Sequence, residues 1–252
     1  MNDDEIFSRI VPGDNSTVVS PSHSQPWVVG LVAKIAISFN SSRMSRIVCG
    51  GTLIGPKHVI TAGHCIMWNC PDYPDLHSCS VARWNIDELI VVVGEHDQTI
   101  EDGEEYMELE RNPIVHPRFV YPADTDYDLA ILILKQVVKN KYASIAMLPQ
   151  PYEEFETVIA SGWGKIVSAD DDRDSDVLRA VKMTLFNGTE LSPSLRGCGR
   201  LKCVDCPTFD TDLLLCGDDL QNSNRGLCKG DSGGTFSLLT YNFCSCIILV
   251  IF

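Results

Sequence analysis

The sequence predicts an all-β protein, a sandwich or barrel built as one structural unit. Short apolar runs, PWVVGLVAKIAI, CGGTLIG, HVITAGHC, ELIVVVGEH, DLAILIL and VIASGWG, recur between Gly, Pro, Asn and Asp. No segment of any length carries the helical period. Neither a repeat nor a Gly/Ser linker divides the chain, which leaves room for two packed barrels within the unit.

Each run has the composition of a strand. ELIVVVGEH is rich in β-branched residues that suit a pleated, buried surface, and DLAILIL is apolar from Leu129 to Leu134. The glycines that close CGGTLIG and VIASGWG mark turns. The acidic run SADDDRDSD from Ser168 is expected to be a solvated loop.

With 252 residues and 44% hydrophobic content, the chain can bury a substantial core. Asp and Glu outnumber Lys and Arg by 34 to 20, a formal net charge of −14, which argues against a nucleic-acid surface. Eleven cysteines, with local pairs such as Cys70 and Cys79, favour disulfides and an oxidising compartment. The number is odd, so at least one cysteine lacks an intrachain partner. Sequons at Asn15, Asn40 and Asn187 agree with an extracellular surface. The start, MNDDEIFSRI, lacks the basic end and apolar run of a signal peptide, so a secretory leader is not expected within this sequence.

Three separated pieces carry chemistry: TAGHC around His64, DYDLAILIL around Asp128, and GDSGG around Ser232. Acyl transfer needs a hydroxyl nucleophile, an imidazole to take its proton, and a buried carboxylate to fix the imidazole tautomer. Together the pieces supply all three.

From IVPGDNSTVVSPSHSQPWVVGL to GDSGG, over roughly residues 10 to 238, the sequence resembles the trypsin/chymotrypsin-like serine proteases. The resemblance implies two packed six-stranded antiparallel β-barrels, the second incomplete at the C-terminus. It assigns His64 as general base, Asp128 rather than Asp126 as its orienting carboxylate, and Ser232 as nucleophile. The backbone N–H groups of Gly230 and Ser232 would form the oxyanion hole, where glycine's freedom of φ is needed. SRIVPG resembles the family's activation site, so residues 1–9 would be a short pro-segment. Cleavage after Arg9 would free the ammonium of Ile10 to pair with Asp231 and order the oxyanion loop. Pro12 stands where the family usually has Gly. Gly226 lies at the expected base of the specificity pocket, so a preference for Lys or Arg does not follow.

GEHDQTIEDGEE aligns with the family's calcium loop, with Glu95, Asp102, Glu105 and the carbonyls of Asp97 and Ile100 as hard oxygen donors for a structural Ca²⁺. Asp102 replaces a usual Glu. No cofactor is expected for catalysis. Cys49 and Cys65 match the family's most regular disulfide, and Cys70 with Cys79 would close an inserted loop. Val158 and Leu238 stand where many members carry a further disulfide. The pairing of Cys198, Cys203, Cys206, Cys216, Cys228, Cys244 and Cys246 stays open, with a spacing irregular for zinc.

Family members continue past GDSGG with elements not found here; Thr235 stands where Pro is usual, and residues 239–252 match no family element. The expected reading is a truncated or divergent tail, too short and too polar for a membrane anchor. These observations lead to a secreted, monomeric serine endopeptidase zymogen acting on protein or peptide substrates and open to protein inhibitors. The alternative is a catalytically impaired homologue that keeps the β scaffold as a binding module.

Overall fold

The computed structural model describes residues 17–33, 46–68, 82–83, 87–120, 127–147, 157–167, 172–186, 216–218, 227, 230–237 and 247–249. Among these, every regular element is a strand. In chain order they are β1 (Thr17–Val18), β2 (Val28–Ala33), β3 (Cys49–Gly55), β4 (His58–Thr61), β5 (Met67–Trp68) and β6 (Ala82–Arg83). Then come β7 (Leu89–Val93), β8 (Glu105–Glu108), β9 (Ile114–Val115), β10 (Ala130–Ile133), β11 (Thr157–Gly162) and β12 (Lys165–Val167). The last are β13 (Asp172–Asp174), β14 (Arg179–Phe186), β15 (Cys216–Asp218), β16 (Thr235–Ser237) and β17 (Ile247–Leu249).

Seven strands form the first sheet in the order β8-β7-β2-β3-β4-β10-β9, all antiparallel. The sheet curls until the chain leaving β8 meets the chain leaving β10. There Leu109 bridges Leu134, Glu110 N–H donates to the Ile133 carbonyl at 2.7 Å, and Lys135 N–H donates to that of Glu108 at 2.8 Å. The second sheet runs β1-β14-β11-β16-β17, with β15 also on β14. Two ribbons, β5 with β6 and β12 with β13, complete the described strands.

The expectation of two six-stranded barrels holds in class. It differs in detail, because the short β9 adds a seventh strand to the first sheet. The segment SADDDRDSD is not all solvated loop: Asp172–Asp174 is a strand, and the Arg46 guanidinium donates to the Asp174 carbonyl at 3.2 Å and to Asp176 at 2.8 Å. Within the unassigned tail, β17 pairs with β16 from Thr235↔Leu249 to Ser237↔Ile247.

Continuous apolar runs in an antiparallel sheet need cover on both faces, and β2 has it. Val29 and Leu31 enter the core inside the first sheet with Leu53, Val59, Val91 and Leu132. Val28 and Val32 face the other way, into a second core with Ile159, Trp163 and Leu178 that joins the two sheets. Fully burying one such side chain stabilises by about 1.5–3 kcal/mol, so β2 and β7, which serve both cores, hold the sheets together. A third core, Val158, Ala160, Val181, Met183 and Phe236, lies within the second sheet.

The sheets also touch through polar groups. Trp27 Nε1–H donates to Ser237 Oγ at 2.9 Å, and the Thr52 and Thr235 hydroxyls lie 2.6 Å apart, both residues buried. This gives Thr235 a partner that proline would not have. Between them Gly50 meets Gly234, where a Cβ on Gly50 would stand 2.7 Å from the Gly234 Cα. That neighbour is backbone and cannot rotate away. Gly50→Ala is therefore expected to lower stability by about 1–3 kcal/mol in urea denaturation, as overpacking does; an unchanged midpoint would contradict this contact.

Candidate active site

β4 delivers the histidine. After Thr61 the chain turns at Gly63, whose carbonyl accepts the N–H groups of Ile66 at 3.0 Å and Met67 at 3.1 Å, and His64 sits within that turn. Cys65 follows and joins Cys49 at the start of β3 in a disulfide. It closes a loop of 16 residues by sequence separation, a constraint worth about 3 kcal/mol against the unfolded chain.

Asp128 precedes β10. Its neighbour Tyr127 has φ of +58°, a left-handed conformation uncommon for a residue with a side chain. The ring stacks on His116 at 4.9 Å between centroids, and the Arg118 guanidinium carbon lies 4.0 Å from its centre. These contacts hold the bend that turns Asp128 inward.

Asp128 then accepts two hydrogen bonds from one residue: Oδ1 from the His64 backbone N–H at 2.7 Å, and Oδ2 from Nδ1–H at 2.5 Å. The carboxylate side chain is 8% exposed and the imidazole 24%, so the anion is shielded while the ring reaches solvent. Gly63 leaves the space, since a Cβ there would lie 3.0 Å from Asp128 Oδ1 and 2.8 Å from the Phe119 ring.

Ser232 lies in a tight turn in which Gly234 N–H donates to the Asp231 carbonyl at 3.0 Å. Gly230 and Gly233 flank it with φ of +100° and +72°, values that glycine adopts without strain. The turn is fastened to the histidine wall. The Ser232 carbonyl accepts Gly50 N–H at 2.7 Å, and the Gly50 carbonyl in turn accepts the Thr61 hydroxyl at 2.8 Å, three residues before His64. A Cβ on Gly233 would fall 2.9 Å from Ala62 N. The Asp231 carboxylate turns the other way, where Oδ1 accepts Gly164 N–H at 2.7 Å.

The acidic loop between β7 and β8 has its own chemistry. Glu95 is buried, and that burial, with Asp102 and Glu104 as like-charged neighbours, pushes its carboxyl up to about 8. Asp102 Oδ2 accepts Asp97 N–H at 3.0 Å, while its Oδ1 is buried without a hydrogen-bond partner. A desolvated carboxyl near an orphaned carboxylate oxygen suits a hard cation, but the Glu95, Asp102 and Glu105 carboxylates are not gathered within 4.8 Å of one another. Asp97 and Ile100 are joined by a turn hydrogen bond of 3.1 Å, and Glu105 is exposed at the start of β8. Against the loop stand His23, whose Nε2 is 3.8 Å from Asp102 Oδ2, and Tyr142, stacked on His23 at 4.0 Å. Burial lowers the affinity of neighbouring His96 for a proton.

Among the described residues, the one group of three metal-type side chains with ligand atoms within 4.8 Å is Cys49, His64 and Cys65. Its two sulfurs are joined in the disulfide, so it is not a metal centre.

The structure thus brings His64 and Asp128 into contact and fastens the Ser232 turn to the same wall. Arg9, Ile10, Gly226, Cys70, Cys79 and the open cysteines other than Cys216 lie outside the described residues; Cys216 is placed only as backbone in β15. Sequence reasoning missed Gly50, Gly63, Thr61 and Tyr127. Gly50 and Gly63 act through backbone or empty space, which residue type does not announce, and Thr61 through a hydroxyl that meets the Gly50 carbonyl.

An all-β fold of two joined sheets, with a histidine–aspartate pair beside a GDSGG turn, defines a serine-peptidase-like protein. The chain belongs to the trypsin family, whose sequence profile, described as Trypsin, matches residues 14–242. It is similar to ovochymase-2 of Mus musculus, with 30% identity over 236 residues, covering 91% of this chain and 32% of that protein. The chain thus spans about a third of its relative's length.

The loop's charge makes a pH-dependent prediction. The folded chain keeps the Glu95 proton up to about pH 8, whereas the unfolded chain releases it near 4.5, so the unfolded state binds fewer protons in between. Calcium-free stability is then expected to fall as pH rises across that window. Added calcium should raise the melting temperature, and Glu95→Gln should remove both effects. Thermal scans with calcium or EDTA check this; a flat pH profile with no calcium effect would contradict it.

Proposed function

We propose that the chain is a secreted serine endopeptidase that hydrolyses peptide bonds through Ser232, His64 and Asp128. One observation carries the reading: a single shielded carboxylate accepts both the backbone N–H and the Nδ1–H of His64. That fixes the ring and its tautomer and leaves Nε2 as the proton acceptor.

The chemistry follows. Ser232 Oγ attacks the scissile carbonyl carbon while its proton passes to His64 Nε2. Asp128 stabilises the imidazolium without taking the proton itself. The negative charge on the carbonyl oxygen is met by the N–H groups of Gly230 and Ser232, donors aimed at the transition state. Collapse breaks the C–N bond, and the imidazolium gives its proton to the leaving amine. Water, deprotonated by His64, then releases the acid and restores Ser232. The glycines at 230 and 233 support this assignment because their positive φ forms the turn that carries the serine without strain.

Activation is part of the proposal: cleavage after Arg9 frees the Ile10 ammonium, which pairs with Asp231 and fixes the oxyanion turn. A calcium ion held by Glu95, Asp102, Glu105 and the carbonyls of Asp97 and Ile100 stiffens the acidic loop and takes no part in the reaction. Secretion is supported by the disulfide and by the wider cysteine content. No helix among the described residues is long and apolar enough to cross a membrane.

The test is fluorophosphonate labelling of the chain made in an oxidising host and cut after Arg9. One label per chain is expected on Ser232, absent in Ser232→Ala, with peptide hydrolysis in Asp128→Asn reduced by about 10⁴-fold in kcat. A folded, cut chain that takes no label would overturn the reading and favour a binding module on the same scaffold.

A further inference from the structure

Resting on that serine-peptidase reading, we propose that Arg179 is a built-in positioning cation for Asp231, one that holds the oxyanion turn in working form before Arg9 is cut. The uncut chain then has basal activity.

Where the Asp231 carboxylate sits is the first observation. It occupies the space a side chain at Gly162 would fill, because a Cβ there would fall 2.2 Å from Oδ1. Gly164 leaves the same hollow open, with a Cβ position 2.4 Å from the Asp231 Cγ. Strand register is the second. Gly162 is the cross-strand partner of Arg179 in the antiparallel pair of β11 and β14. Partners in such a ladder project to the same face, with Cβ atoms about 4.5–5.5 Å apart. A carboxylate standing in for the Gly162 side chain is therefore the cross-strand neighbour of Arg179.

A cleft of about 30 Å³ joins the two groups, lined also by Lys165 and by apolar Ala160, Val181 and Leu227. Asp231, Arg179 and Lys165 are its charged lining. Ser175 then orients the cation: its hydroxyl accepts Arg179 Nε–H at 3.1 Å and donates to the Val177 carbonyl at 2.6 Å. The guanidinium is thus held by its inner nitrogen, and the outer two are those suited to a carboxylate. Lys165 shares the cleft without the register relation or the Ser175 clamp.

In the uncut chain the Ile10 nitrogen is an amide and carries no charge. Asp231 and Arg179 nevertheless line the same cleft, and Gly164 N–H already holds Oδ1. Cleavage adds a second positive charge and relieves the dependence on Arg179.

The test uses the full chain carrying Arg9→Gln, which blocks the cut, and compares it with the cut chain for the rate of fluorophosphonate labelling. The uncut parent should label. Adding Arg179→Gln should slow it by about ten-fold or more, and Arg179→Lys should recover most of the rate. Lys165→Gln should leave it near the parent, and in the cut chain Arg179→Gln should change labelling by less than about two-fold. An uncut parent that does not label while the cut parent does would overturn this inference and leave the proposed function standing. Equal labelling of uncut Arg179→Gln and its parent would overturn it too. Loss in both forms of Arg179→Gln would reduce Arg179 to a structural residue and overturn it as well. No label on either parent form would instead sink the proposed function itself.

Discussion

The site depends on one close approach between backbones. Gly50 in β3 lies against the Ser232 turn, its N–H donating to the Ser232 carbonyl while its missing side chain leaves room for Gly234. β3 also carries Cys49 of the disulfide to Cys65 and forms a ladder with β4, whose end leads into the His64 turn. One strand therefore braces both halves of the candidate catalytic machinery. The cores serve that contact, since apolar packing on both faces of β2 and β7 fixes the sheets to one another, and the Thr52–Thr235 and Trp27–Ser237 hydrogen bonds set their relation beside it.

Carboxylates removed from water impose the second constraint, because each needs a compensating partner. Asp128 finds two donors on His64, an arrangement that also fixes the ring. Asp231 takes Gly164 N–H in a hollow that only glycines at 162 and 164 leave open. Glu95 is instead held protonated well above the usual carboxylate range by burial and acidic neighbours. The same physical demand gives three outcomes: an oriented base, a positioned turn and a loop whose charge invites a cation.

The sequence showed much of this and concealed the rest for definite reasons. CGGTLIG and DLAILIL read as strands because their residues suit a pleated, buried surface, and they are strands β3 and β10. His64 and Asp128 were legible because their motifs are local. Gly50 was not, since it acts through its backbone on a residue far along the chain. Tyr127 adopts its left-handed bend through tertiary contacts with His116 and Arg118, which override the preference of a residue with a side chain. The strand in SADDDRDSD was hidden because its acidic composition reads as solvated, whereas Arg46 comes from elsewhere in the chain to meet Asp176. Arg179 became informative only through its register with Gly162, which a single sequence does not reveal.

The most direct measurement of the central claim is intact-mass analysis of the cut chain mixed rapidly with a nitrophenyl ester. The account predicts one acyl group per chain, mapped to Ser232, appearing with a burst of nitrophenol and then lost by hydrolysis. An acyl group on another residue, or none on a folded chain, would contradict it.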